Sequence, residues 1–224
     1  MGRVSPAPLI IIGAGGFGRE VLGLVRDIQR VHPDTLDFLG FVDDGDVSED
    51  LMARCGARFL GTTKMLRELP GGTHYVVAIG TGSVRRTLSA KADEAGLTPH
   101  TLIHPSVSVG VDVSIGEGTV ICAGARISSN LRLGRHVNVN PNCAIGHDST
   151  LADFVTVYPL CSVSGYVTLG ETATIGATSV INPSVTVGAG AYIGSGASVT
   201  SDVPDFALAA GVPAKVKKYL DKAE

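Results

Sequence analysis

The chain has 224 residues, a formal net charge of −3, 44% hydrophobic and 17% charged residues. That length allows one large domain or two small ones, and the composition demands a packed core. There is no basic surplus to hold nucleic acid or an anionic membrane. No apolar run approaches the roughly 20 residues of a membrane span and no signal-peptide pattern is present, so the expectation is a soluble, cytoplasmic protein. Trp is absent, aromatics are 5% and glycines number 29, which leaves small and branched aliphatics to build the core.

Leu9-Ile10-Ile11-Ile12 reads as a buried parallel strand. It runs into Gly13-Ala14-Gly15-Gly16-Phe17-Gly18 and then a helical stretch from Arg19. A G-x-G-x-x-G turn in that setting offers main-chain N–H groups to a phosphate. A second strand, Phe38 to Val42, ends at Asp43-Asp44, where an acidic residue meets a ribose in doubly wound folds. A third, Tyr75 to Ile79, ends at Gly80, with Arg85 and Arg86 nearby. Read alone, the glycine motif favours a dinucleotide cofactor and a dehydrogenase. Only about 100 residues are available before the pattern changes, which is half of a doubly wound sheet. A mononucleotide fits that space better than NAD.

From Ile103 the chain repeats every six residues. Seventeen positions, from Ile103 and Val109 through Ile145 and Val163 to Val199, are all branched aliphatics without a slip of register. The fourth residue after each is nearly always small or Val; Leu131 is the bulky exception. This period matches neither a helix nor an alternating strand, but a short strand and a sharp turn wound into a solenoid. Gly follows many of the aliphatics (Gly110, Gly116, Gly146, Gly176), where conformational freedom would serve a turn. Residues 103–204 carry only nine of the chain's 39 charged residues. Cys55, Cys122, Cys143 and Cys161 include no C-x-x-C pair and read as reduced, buried thiols. His104, His136 and His147 fall in different columns of the repeat, so no metal site is expected.

The repeat resembles that of the hexapeptide-repeat acyltransferases. The resemblance implies a left-handed parallel β-helix of three hexapeptides per coil, a homotrimer, and acyl-CoA bound in grooves between neighbouring helices. Together, the Rossmann-like start and the uninterrupted β-helix look like the nucleotide-sugar N-acetyltransferases that modify 4-amino-4,6-dideoxy sugars, a layout shared by sialic acid O-acetyltransferases. The implied boundaries are 1–102 for nucleotide-sugar binding, 103–204 for the acyltransferase helix, and 205–224 for a closing segment.

By the same resemblance, UDP or dTDP of the sugar donor is held by Gly13, Gly15, Gly16, Phe17, Gly18, Asp43, Asp44, Gly80 and Arg85, with Asn140 near the acceptor sugar. His147 is the implied general base and Asp148 its partner. An amine attacking the acetyl-CoA thioester must lose a proton, and a carboxylate can orient and stabilise the imidazole that takes it. Ala177, Gly194 and Ser195 match the CoA groove, and Gly211 to Lys215 the segment that closes such helices and meets CoA. With 18 residues per coil, Gly165 stacks on His147, leaving room beside the ring and an N–H for a developing oxyanion. Three positions depart from the family pattern. Phe17 and Thr156 stand where histidines are usual, and Thr81-Gly82 replaces a polar pair. O-acetylation of sialic acid and a catalytically silent nucleotide-sugar scaffold are the competing readings.

Overall fold

A computed structural model describes residues 6–221. Near the N-terminus, β1 (Ala7–Ile12), β2 (Leu36–Val42), β3 (Phe59–Gly61), β4 (His74–Val77) and β5 (Thr98–Pro99) form a parallel sheet in the order β3-β2-β1-β4-β5. Leu9, Ile10 and Ile11 are fully buried because β1 lies in the middle of this sheet with both faces covered. Three helices connect the strands: α1 (Gly16–Val31), α2 (Glu49–Arg54) and α3 (Gly82–Glu94). α1 buries Gly18, Val21, Leu22 and Val25, an i, i+3, i+4, i+7 stripe. The strand order reverses between β1 and β4, and the loops after both strands border the crevice where ligands of such sheets bind.

From Leu102 onward, short strands pair with strands 18 residues away, as in Ile127 with Ile145 and Leu151 with Leu169. This makes a three-faced parallel β-helix with faces of six, five and eight strands. Its aliphatic column runs unbroken from Ile121 to Ala209, with Cys143 and Cys161 buried in it as the repeat predicts. Their Sγ atoms lie 3.0 Å from the carbonyls of Tyr158 and Gly176. The last strands form a hairpin. Ala207–Gly211 pairs in parallel with the final coil, and Ala214–Tyr219 returns antiparallel to it.

The glycines that follow the aliphatic positions have a different purpose from the expected one. Left-handed backbone occurs two residues later, at Asp112, Asn130, Asp148 and Tyr166, with φ between 52° and 61°. At the glycines themselves the limit is space between coils. A methyl group on Gly146 would lie 2.4 Å from the carbonyl carbon of Ser164, and one on Gly176 2.5 Å from Ile193 O. The small residue permits the close approach rather than the turn.

The sheet domain lies against the eight-stranded face. Outward residues of that face, Leu102, Val120, Asn138 and Thr156, are buried, whereas Arg126, Ala144 and Ser162 on the six-stranded face are exposed. The prism has three edges. The first follows the eight-stranded face and carries His104, Asn140 and Tyr158; the second follows the six-stranded face and carries His147 and Gly165; the third follows the five-stranded face and carries His136 and Phe154.

Arg85 fastens the two parts together. It is fully buried and gives six hydrogen bonds, to the carbonyls of Ile79, Gly80, His136, Phe154 and Val155 and to Thr156 Oγ1. Burial pulls its guanidinium down to about 9. The six oxygens offset that cost without any carboxylate. Arg135–Asp93 and His104–Asp27 pairs add to the seam. Among the described residues, no hydrogen bond or ion pair joins the sheet domain to the second edge.

Candidate active site

His147 stands on that second edge. Its Nδ1 lies 2.8 Å from Asp148 Oδ2. An ionised carboxylate only accepts, so the Nδ1 position carries the hydrogen, and in the neutral ring the lone pair is at Nε2. Nε2 has no hydrogen-bond partner among the described residues, and just over half of the side chain is exposed. Asp148 also accepts from Asn130 Nδ2 at 3.1 Å. Hydrogen bonds from His147 first, and then from Asn130, hold its carboxyl below the usual range. Gly165 does lie against the ring: a methyl group there would come within 2.6 Å of Cε1 and 2.7 Å of Nε2. The pair leaves one ring nitrogen exposed and the other anchored.

The glycine-rich turn divides into two pairs. Gly13 has φ +110°, and a methyl group on Gly18 would overlap Gly13 O at 1.9 Å, so these two shape the turn. Gly15 and Gly16 have open space beside them at the start of α1, where main-chain N–H groups are uncapped by any side chain. Asp43 holds this turn in place, accepting from Ala14 N at 2.6 Å and Gly45 N at 2.8 Å. Asp44 accepts from Thr63 N and Oγ1, and the main-chain bond is the main cause of its lowered pKa. Both carboxylates are thus engaged within the domain.

Phe17, Gly80 and Asn140 converge on one cavity of about 240 Å³, completed by Glu20, Tyr158 and Pro159. Asn140 is nearly buried, and its Nδ2 donates to Val157 O. A second cavity of about 250 Å³ shares Gly80 and Tyr158 and extends past Thr81 and Ser83 to Tyr192 and Leu208. Arg85 must be corrected: it reaches no cavity, because every donor is spent inside the seam. Thr156 is also a seam residue, donating to Gly80 O at 2.7 Å, and lies on a different face from His147.

The residues expected at CoA divide between two edges. Ala177, Gly194 and Ser195 follow strands of the eight-stranded face on the first edge, with exposed Gly211 at the hairpin turn one layer further on. Lys215 is exposed on the outermost strand. Gly165 instead shares the second edge with His147. The chain therefore presents the Phe17–Asn140 cavity and the His147–Asp148 dyad on separate edges.

Residues 8–92 match the family of the PglD N-terminal domain, and residues 166–201 match the bacterial transferase hexapeptide repeat. A GDP-perosamine N-acetyltransferase of Escherichia coli O157:H7 is 32% identical over 144 residues, a match spanning 64% of each chain. Two solved structures are similar over nearly their whole length. The first is PerB of Caulobacter crescentus, in complex with CoA and GDP-perosamine. It is 31% identical, covers 94% of this chain and 97% of its own, and has a TM-score of 0.85. The second is the acetyltransferase domain of PglB from Neisseria gonorrhoeae, in complex with acetyl coenzyme A. It is 32% identical, covers 95% of this chain and 100% of its own, and has a TM-score of 0.83. This chain belongs to the sugar N-acetyltransferase family with a left-handed β-helix.

Several residues that the sequence left unmarked gather around these features of the acetyltransferase fold. Tyr158, Glu20 and Pro159 line the cavity with Phe17, and Asn130 and Tyr166 flank the dyad. Column arithmetic contained the signal for the last two: positions 130, 148 and 166 are one coil apart. Tyr158 carried the same signal, standing one coil beyond Asn140. No helix among the described residues is long and apolar enough to cross a membrane.

Proposed function

We propose that this protein transfers an acetyl group from acetyl-CoA to the amine of a nucleotide diphosphate-linked 4-amino-4,6-dideoxy sugar. The observation that carries this reading is His147, anchored at Nδ1 by Asp148 with Nε2 free on an exposed edge. The amine attacks the thioester carbonyl and forms the C–N bond. His147 Nε2 takes the ammonium proton as charge develops, and Asp148 stabilises the imidazolium. Gly165, which lies against the imidazole, offers its main-chain N–H to the oxyanion. Collapse breaks the C–S bond, and the departing CoA thiolate takes up a proton. No acyl-enzyme is needed.

The nucleotide lies along Gly15 and Gly16, with its sugar entering the cavity of Phe17, Gly80 and Asn140. The relatives named with GDP-perosamine favour a guanine nucleotide over UDP or dTDP. CoA runs past Ala177, Gly194, Ser195 and the Gly211–Lys215 turn. The division of the site supports a homotrimer. The dyad and the sugar cavity occupy different edges, so the dyad of one copy serves the cavity of the next. The test is thiol release from acetyl-CoA against GDP-, UDP- and dTDP-linked 4-amino sugars and CMP-sialic acid. Turnover on an amino sugar, falling about 10³-fold in His147→Ala, is the expected result. Turnover confined to sialic acid, or an unimpaired His147→Ala enzyme, would overturn the assignment.

A further inference from the structure

The column of turn residues on the second edge contains an aromatic ring that the β-helix itself does not require. Thr172, Thr178 and Ser184 fill the same turn position elsewhere. Tyr166 lies one coil beyond Asp148, and its side chain is largely exposed. Its main-chain N–H donates to His147 O at 2.9 Å. Its ring meets the imidazole edge-to-face, with centroids 5.2 Å apart and planes at 89°. An arrangement of this kind is a favoured aromatic pairing rather than incidental proximity.

His147 therefore has three fixed neighbours. Gly165 is against one side of the ring, Asp148 holds Nδ1, and Tyr166 meets the ring edge-to-face, leaving Nε2 open to solvent. Asn130 restrains Asp148 from the preceding coil. Asn130, Asp148 and Tyr166 share a left-handed turn conformation, so their side chains stack along one column. The phenol also adds a minor part to the lowered pKa of Asp148.

We propose that Tyr166 is a positioning residue for the His147–Asp148 dyad, holding the imidazole in the single orientation that presents Nε2 outward. The proposal rests on His147 being the proton acceptor. Tyr166 contacts the base and takes no proton itself. Its contribution is to keep the ring from rotating out of reach of the attacking amine, a loss that appears in turnover rather than in binding.

The test uses the full chain labelled with ¹⁵N at histidine, with Tyr166→Ala, Tyr166→Leu and Tyr166→Phe variants. The wild-type His147 imidazole is expected as one Nδ1–H tautomer. Ala and Leu should give mixed tautomers and a kcat about tenfold lower, with KM for both substrates unchanged within about twofold. Phe keeps the ring and should restore kcat to within about threefold. Leu keeps the volume, so it decides the matter if Ala fails to fold. A single tautomer retained in Leu, with wild-type kcat, overturns the proposal. The tautomer readout needs no substrate. A wild-type enzyme silent on every acceptor would therefore sink the functional reading while the NMR result still judges Tyr166.

Discussion

His136 and His147 stand eleven residues apart on two edges of the same prism, in opposite surroundings. On the third edge, His136 is buried and stacked between Tyr75 and Phe154, and neither ring nitrogen has a partner. On the second edge, His147 is exposed, with one nitrogen anchored and one free. The repeat is the same at both. What differs is the sheet domain, which covers one edge and leaves the other bare. An imidazole in the covered place is a packing element; in the bare place one ring nitrogen is left open to solvent.

The sharpest way to break this contrast is at the seam. Arg85→Ala removes a buried cation and strands the main-chain carbonyls of His136 and Phe154, while those of Ile79, Gly80 and Val155 keep donors from Asn138 and Thr156. The expected cost is about 4 kcal/mol, read as a lower urea midpoint, with faster proteolysis between the two parts. Lysine should not rescue it, because an ammonium cannot reach six oxygens in a fork. An unchanged midpoint would mean that the seam does not depend on Arg85.

Acid is the next lever. Burial first, and Arg135 second, push the pKa of His136 down to about 4, with Arg85 acting the same way and Asp93 and Asp153 opposing. The unfolded chain takes up a proton near 6.5 and the folded chain does not. The stability from a neutral His136 is therefore complete above about pH 6.5 and is lost as pH falls towards 4. The expected loss approaches about 3 kcal/mol. His136→Phe should keep the stack and flatten this stretch of the melting-temperature profile. A wild-type slope in that variant would assign the acid sensitivity to other groups.

The smallest expected effect sharpens the other side of the contrast. Gly165→Ala drives a methyl into the His147 ring, which can swing aside into solvent. Turnover should fall about 30-fold while the melting temperature stays within about 2 °C, since only a surface side chain moves. Equal damage to folding would show that the second edge is structural too.

Much of this architecture was readable in the sequence. The aliphatic positions fixed the strands and their 18-residue pairing, because an error of one residue would turn the core outward. Gly165 against His147 followed from the same arithmetic. The seam did not. Arg85 looked like a ligand contact since its partners are main-chain carbonyls, which every sequence supplies and none marks. Leu102 and Val120 held an unused clue, being apolar at outward positions. Asp43 and Asp44 were read as ribose contacts, and their carboxylates are engaged by Ala14, Gly45 and Thr63.

The closing hairpin has a consequence for solubility. Identical rungs carry no internal signal to stop, and a parallel ladder ending in open hydrogen-bonding groups is a template for another chain. Here the final strand, Ala214–Tyr219, runs against the ladder and sets Lys215, Lys217 and Lys218 along its length. A strand arriving from a second molecule would meet reversed polarity and a row of ammonium groups. The lysines act as gatekeepers against fibrous stacking at this end of the ladder.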